Sequence, residues 1–119
     1  MKRLAASWGP VVAWAALVFT LSAQPMPPGP SIPGIDKVAH MFEFAVLAGL
    51  LARALIGSGT RPGHAVAWAI GLATLYGASD ELHQLFVAGR TSDAFDLAAD
   101  AVGACAGAWG CRALLSRFG

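Results

Sequence analysis

Three short stretches hold nearly all the residues of this chain that could do chemistry. Asp36, Lys37, His40 and Glu43 form the first, Asp80, Glu81, His83, Gln84 and Arg90 the second, and Asp93, Asp96 and Asp100 the third. All seven acids and two of the three histidines lie within them. Carboxylates and imidazoles in such numbers can act as general acids and bases, accept hydrogen bonds from a cationic ligand, or hold a metal. Asp80, Glu81, His83 and His40 are the candidates for acid–base catalysis. As a ligand-binding cluster the candidates are Asp36, Lys37, His40, Glu43, Asp80, Glu81, Gln84, Arg90, Asp96 and Asp100. No spacing fixes a nucleophile, since Ser79 and Ser92 come with no base at a defined offset. There is no HExxH pattern and no cysteine cluster. No cofactor is therefore assigned, and a divalent cation is left open.

The elements that carry these stretches are apolar. The chain has 119 residues, of which 56% are hydrophobic and 13% charged, and its mean hydropathy is +0.60. A soluble domain carries about 25% charged residues, so the composition points to an integral membrane protein and to no nucleic-acid partner. Apolar segments at about 4–22, 37–56, 64–87 and 93–115 are each long enough to cross a bilayer. They predict one all-α domain over 1–119, a bundle of four transmembrane helices. The proline-rich stretch 24–34 is an extended connector, and 57–63 and 87–90 are turns. Lys2 and Arg3, the apolar run and Leu21-Ser22-Ala23 also fit a secretory signal, but Leu is poor at the minus-three position, so a retained span is expected. Cys105 and Cys111 lie about 9 Å apart along one helix and on different faces, so they are packing residues rather than a disulfide.

Basic residues orient the helices. With the N-terminus in the cytoplasm, Lys2, Arg3, Arg53, Arg61, Arg112 and Arg117 are inside and only Lys37 and Arg90 are outside. Both termini are thus expected in the cytoplasm, and all seven acids at the outer face. Asp36, His40 and Glu43 share one face of the second helix, because residues three and four apart are neighbours. Asp93, Asp96 and Asp100 do the same on the fourth, in line with Gly103, Gly107 and Gly110, which would let another helix approach closely. Tyr76, Asp80, His83 and Gln84 line one side of the third, with Glu81 about 100° away. Three polar faces at one depth predict a shared outward-facing cavity. Against Lys37 and Arg90, seven acids leave five negative charges uncompensated. Buried, they require shared protons, cationic His40 and His83, or a bound divalent cation or cationic ligand.

Asp36-Lys37-Val38-Ala39-His40-Met41-Phe42-Glu43-Phe44 resembles the opening motif of the VanZ-like membrane family. Asp80-Glu81-Leu82-His83-Gln84-Leu85-Phe86 with Gly89-Arg90 resembles its second motif, and Asp96-Leu97-Ala98-Ala99-Asp100-Ala101-Val102-Gly103 with Gly107 its third. They cover residues 36–110 in the right order. Two positions depart from the family, which usually has Asn where Asp100 stands and Phe where Met41 stands. The resemblance implies a multi-pass protein of the bacterial cytoplasmic (inner) membrane with a cell-envelope role; the family takes its name from a protein associated with teicoplanin resistance. The expected function is binding or remodelling of a lipid-linked or wall-related ligand at the outer leaflet. Its partners would be membrane lipid and a lipid-linked wall precursor or a glycopeptide, with homo-oligomerisation left open. The alternatives are a membrane enzyme using the carboxylates and histidines, and a small transporter or proton-coupled channel. The last is disfavoured because the inner halves of the helices are almost purely apolar.

Overall fold

The computed structural model of the protein describes residues 2–22, 35–86 and 94–118. The side chains of Asp36, Lys37 and Gln84, all of Arg90 and Asp93, and the proline-rich connector lie outside the described residues. Four helices follow in order: α1 (Lys2–Ser22), α2 (Ile35–Gly57), α3 (Pro62–Gln84) and α4 (Ala94–Phe118). At 1.5 Å per residue, helices of this length reach about 32–38 Å, enough for a hydrocarbon core of about 30 Å. The longest dimension of the molecule is 45 Å.

Two of the four, α1 and α2, are long and apolar enough to cross a membrane, over Leu4–Leu21 and Val38–Gly57. Acidic residues, Arg112 and a high share of Ala and Gly lower the hydropathy of α3 and α4. The exterior is nonetheless apolar: Val12, Phe42, Trp68, Leu75, Phe95 and Trp109 are all exposed. Five ionisable side chains are buried among the described residues, His40, Asp80, Glu81, Asp96 and Asp100, and Asp100 ranks with Phe44, Val18 and Val66 among the largest that are fully buried. Apolar side chains on the outside, with ionisable groups enclosed among an otherwise apolar core, is the arrangement a bilayer favours for a bundle that carries such groups.

The turn between α2 and α3 shows how the chain reverses. Gly59 takes φ +103°, the left-handed conformation that glycine adopts without penalty. Gly59 N–H donates to Ile56 O and Thr60 N–H to Leu55 O, which together close α2 in a Schellman motif. Pro62 then opens α3 at a position where no N–H is needed.

Parallel helices α2 and α4 make the closest contact in the bundle. A Cβ at Gly103 would collide with the Met41 carbonyl, and one at Gly107 with the Ala45 carbonyl. Continuing the stripe, Gly49 faces Gly107 O at 3.3 Å and the Cys111 side chain at 3.9 Å. Gly110 departs from the expected packing role. Nothing lies within 4 Å of a Cβ built there, and the residue lines a shallow apolar groove with Val46, Leu50 and Leu114. The contact face steps by four from Gly107 to Cys111, which turns Gly110 away from α2. Cys105 and Cys111 are both free thiols.

α1 packs on α2 and lightly on α3, and polar stitches hold it there. Trp14 Nε1 donates to Glu43 O at 2.8 Å, Tyr76 Oη to Ala15 O at 2.6 Å, and Trp8 Nε1 to Ser58 Oγ at 3.1 Å. Arg53 Nη1 reaches Ala6 O at 3.3 Å, and the Arg112 guanidinium lies 3.7 Å from a Cβ built at Gly63. The start of α1, the end of α2, the start of α3 and the arginines of α2 and α4 therefore share one end of the bundle.

Candidate functional site: a buried polar cluster where three helices meet

The opposite end holds the acids. α2 and α4 begin there and α3 finishes there, so each brings a polar turn to the same place. His40 lies near the start of α2, with Glu43 half-buried one turn on. Asp80 and Glu81 belong to the last turns of α3, and Asp96 to the first turn of α4. A carboxylate in that first turn also faces the positive end of the helix dipole. His40, Asp80, Glu81, Asp96 and Asp100 are the buried polar side chains among the described residues. All five come from the expected cluster.

The centre of the cluster is a pair. His40 Nδ1 and Asp100 Oδ1 are 2.9 Å apart, with the Asp100 side chain fully buried. This hydrogen bond joins α2 to α4 one turn above the Gly103–Met41 contact, so the close approach of the two backbones sets its length. Phe44 forms the floor: its ring is nearly parallel to that of His40 at 6.5 Å and tilted against Tyr76 at 6.1 Å. One ligand atom each from His40, Glu81 and Asp100 lies within 4.8 Å of the others, so all three helices contribute to a single small volume. The second carboxylate oxygen of Asp100, Oδ2, is buried and has no hydrogen-bond partner among the described residues.

Other candidates are placed differently. His83 is half-buried at the edge, its ring stacked on Phe19 of α1 at 4.9 Å. Tyr76 turns to α1 and spends its hydroxyl on Ala15 O. Ser79 is exposed, and Ser92 lies outside the described residues. His64 is exposed on the first turns of α3. Asp36, Lys37 and Gln84 are in α2 and α3 by backbone only, and Arg90 and Asp93 are outside the described residues.

Two contributors carried no polar signal in the sequence. Gly77 packs under the site, where a Cβ would stand 2.7 Å from Asp100 Oδ2 and 3.3 Å from Phe44 Cε1. A glycine one turn before Asp80-Glu81 in an alanine-rich helix was the available clue. Phe19 was the other, and its apolar span gave no reason to bring it to His83.

An apolar-faced helical bundle with its buried ionisable groups gathered at one end is of membrane-protein type. The chain belongs to the VanZ/LLP1 family, whose sequence profile matches residues 5–116, nearly the whole chain. No curated protein and no solved structure matches it.

Proposed function

We propose that this chain is a four-span protein of the bacterial cytoplasmic membrane, with both termini in the cytoplasm. Its cluster at the outer face binds, or holds for remodelling, a lipid-linked or wall-related ligand, as in glycopeptide resistance of the teicoplanin type. The observation that carries this reading is the convergence of His40, Glu81 and Asp100 from three helices on one buried volume. Ionisable groups inside a membrane bundle are costly, and a protein that retains them at one end uses them there. The separation of arginines from acids supports the orientation, because basic residues favour the cytoplasmic side. A polar headgroup entering from the outer leaflet would meet the cluster, while its acyl part would lie against the exposed Phe42, Phe86 and Phe95.

One observation favours an enzyme as the second reading. A carboxylate hydrogen-bonded to a buried imidazole, as Asp100 is to His40, is how many hydrolases orient a general base. Asp80 or Glu81 would then be the acid. Transport has less support, since the buried polar side chains among the described residues all lie at one end and form no relay across the bundle.

Two experiments on the intact chain test the proposal. In a background with Cys105 and Cys111 replaced, Ser31→Cys reacts with a membrane-impermeant thiol reagent on whole cells, and Ser58→Cys reacts only after permeabilisation. Labelling of both from outside refutes the four-span orientation. In lipid nanodiscs, the wild type retains a lipid-linked wall precursor in preference to bulk phospholipid. Glu81→Gln and Asp96→Asn weaken retention by about tenfold or more, the scale of losing a charge-assisted hydrogen bond at 1.5–3 kcal/mol, while accumulating normally in the membrane. Covalent conversion of the precursor that depends on Glu81 or Asp80 would replace the binding reading with the enzymatic one.

A further inference from the structure

We propose that His40, Glu81 and Asp100 form a binding site for one divalent first-row transition-metal ion, with Mn2+, Fe2+ and Zn2+ the fitting candidates. Donor atoms around an ion at bond lengths of about 2.1 Å are separated by about 3 Å when adjacent and about 4.2 Å when opposite. One atom each from His40, Glu81 and Asp100 already lies within 4.8 Å of the others, close to the spacing that donors around one ion require. One imidazole nitrogen with two carboxylates is a borderline donor set. It suits these metals better than Mg2+ or Ca2+, which prefer oxygen alone.

A second observation points to the same ligand. Asp100 Oδ2 is buried, without a hydrogen-bond partner among the described residues, in the side chain that is the most enclosed of the cluster. A buried oxygen of this kind costs about 1–3 kcal/mol, which coordination of a cation would offset. Gly77 keeps the space beside it, since any larger residue would carry a Cβ 2.7 Å from that oxygen. Binding takes a neutral imidazole and ionised carboxylates, so a His40–Asp100 pair held as imidazolium and carboxylate gives up one proton to solvent as the ion enters. Because the ligands come from α2, α3 and α4, the ion also ties three helices together.

The inference deepens the ligand-binding reading, because a bound cation lets an acidic cluster accept an anionic headgroup. Its test does not depend on that headgroup. Full-length protein in nanodiscs of neutral lipid, stripped with a chelator, is titrated with Mn2+ and followed by electron paramagnetic resonance. The expected result is a single saturable Mn2+ per chain, displaced by Zn2+, with nitrogen modulation from an imidazole in the pulsed spectrum. His40→Gln removes the nitrogen modulation, and Glu81→Gln weakens binding by about tenfold or more. Cys105→Ser, on the exposed side of α4, leaves both unchanged. Should the variants misassemble, the wild-type spectrum decides alone: no saturable Mn2+, or bound Mn2+ without imidazole nitrogen, overturns the proposal. Retention of the wall precursor in the same nanodiscs separates the two ideas. Retention without metal binding sinks the metal site only, and metal binding without retention sinks the ligand reading only.

Discussion

His40→Ala destabilises the bundle by about 3–5 kcal/mol, because it leaves the buried Asp100 without its partner. The double variant His40→Phe/Asp100→Leu recovers most of that loss, since an apolar pair of similar volume needs no solvation in this interior. Reversible unfolding in mixed micelles, read by the tryptophans, measures both. The size of the effect decides what the pair is. Hydrogen bonds between membrane helices are worth only about 0.6 kcal/mol on average, so a loss of that order from His40→Ala would mean that removing the imidazole strands no charge. If the double variant were also as unstable as the single, the pair would be a structural clasp rather than a polar site retained at a cost.

Gly107→Leu abolishes assembly, the second large effect expected. Its side chain would have to occupy the space of the Ala45 backbone, and backbone cannot give way as the end of a flexible side chain can. Overpacking of this kind costs about 1–3 kcal/mol or more even where side chains can adjust. Pushing α4 from α2 also breaks the His40–Asp100 hydrogen bond, so metal and ligand binding fall together. Gly110→Ala is the matched comparison. With open space around it and about 1 kcal/mol of helix propensity to gain, it accumulates at or above the wild-type level. Equal behaviour of the two variants in membrane accumulation and unfolding midpoint would contradict the parallel packing of α2 on α4.

That pair of glycines also marks how far the sequence can be read. Gly103, Gly107 and Gly110 share a broad helical stripe, but spacing cannot say whether a contact continues by three residues or by four. Only the crossing of α2 and α4 settles it in favour of Cys111. The helices themselves were legible because apolar runs are interrupted by a proline-rich stretch and a Gly-Pro turn, and the four fall within a few residues of the expected 4–22, 37–56, 64–87 and 93–115. The meeting of their polar turns was legible too, since alternating helix direction brings the start of α2, the end of α3 and the start of α4 to one level. Pairing within the cluster was not. Asp36, His40 and Glu43 share a face in sequence, and nothing in that spacing marks His40 as the residue hydrogen-bonded to Asp100. Tyr76 shares a face with Asp80, but a backbone carbonyl of α1 captures its hydroxyl. Backbone acceptors leave no mark in a sequence, and for the same reason the place of Trp14 over Glu43 O was not visible.

The central claim is that the polar turns of α2, α3 and α4 build one ligand site opening to the outer leaflet. A high-resolution structure of the protein extracted with its native lipid tests it most directly. The account predicts density for a headgroup against His40, Glu81 and Asp100, continuous with an acyl chain along the exposed aromatic side chains at that end. A cluster closed over itself, with ordered lipid only on the apolar faces of the helices, would contradict it.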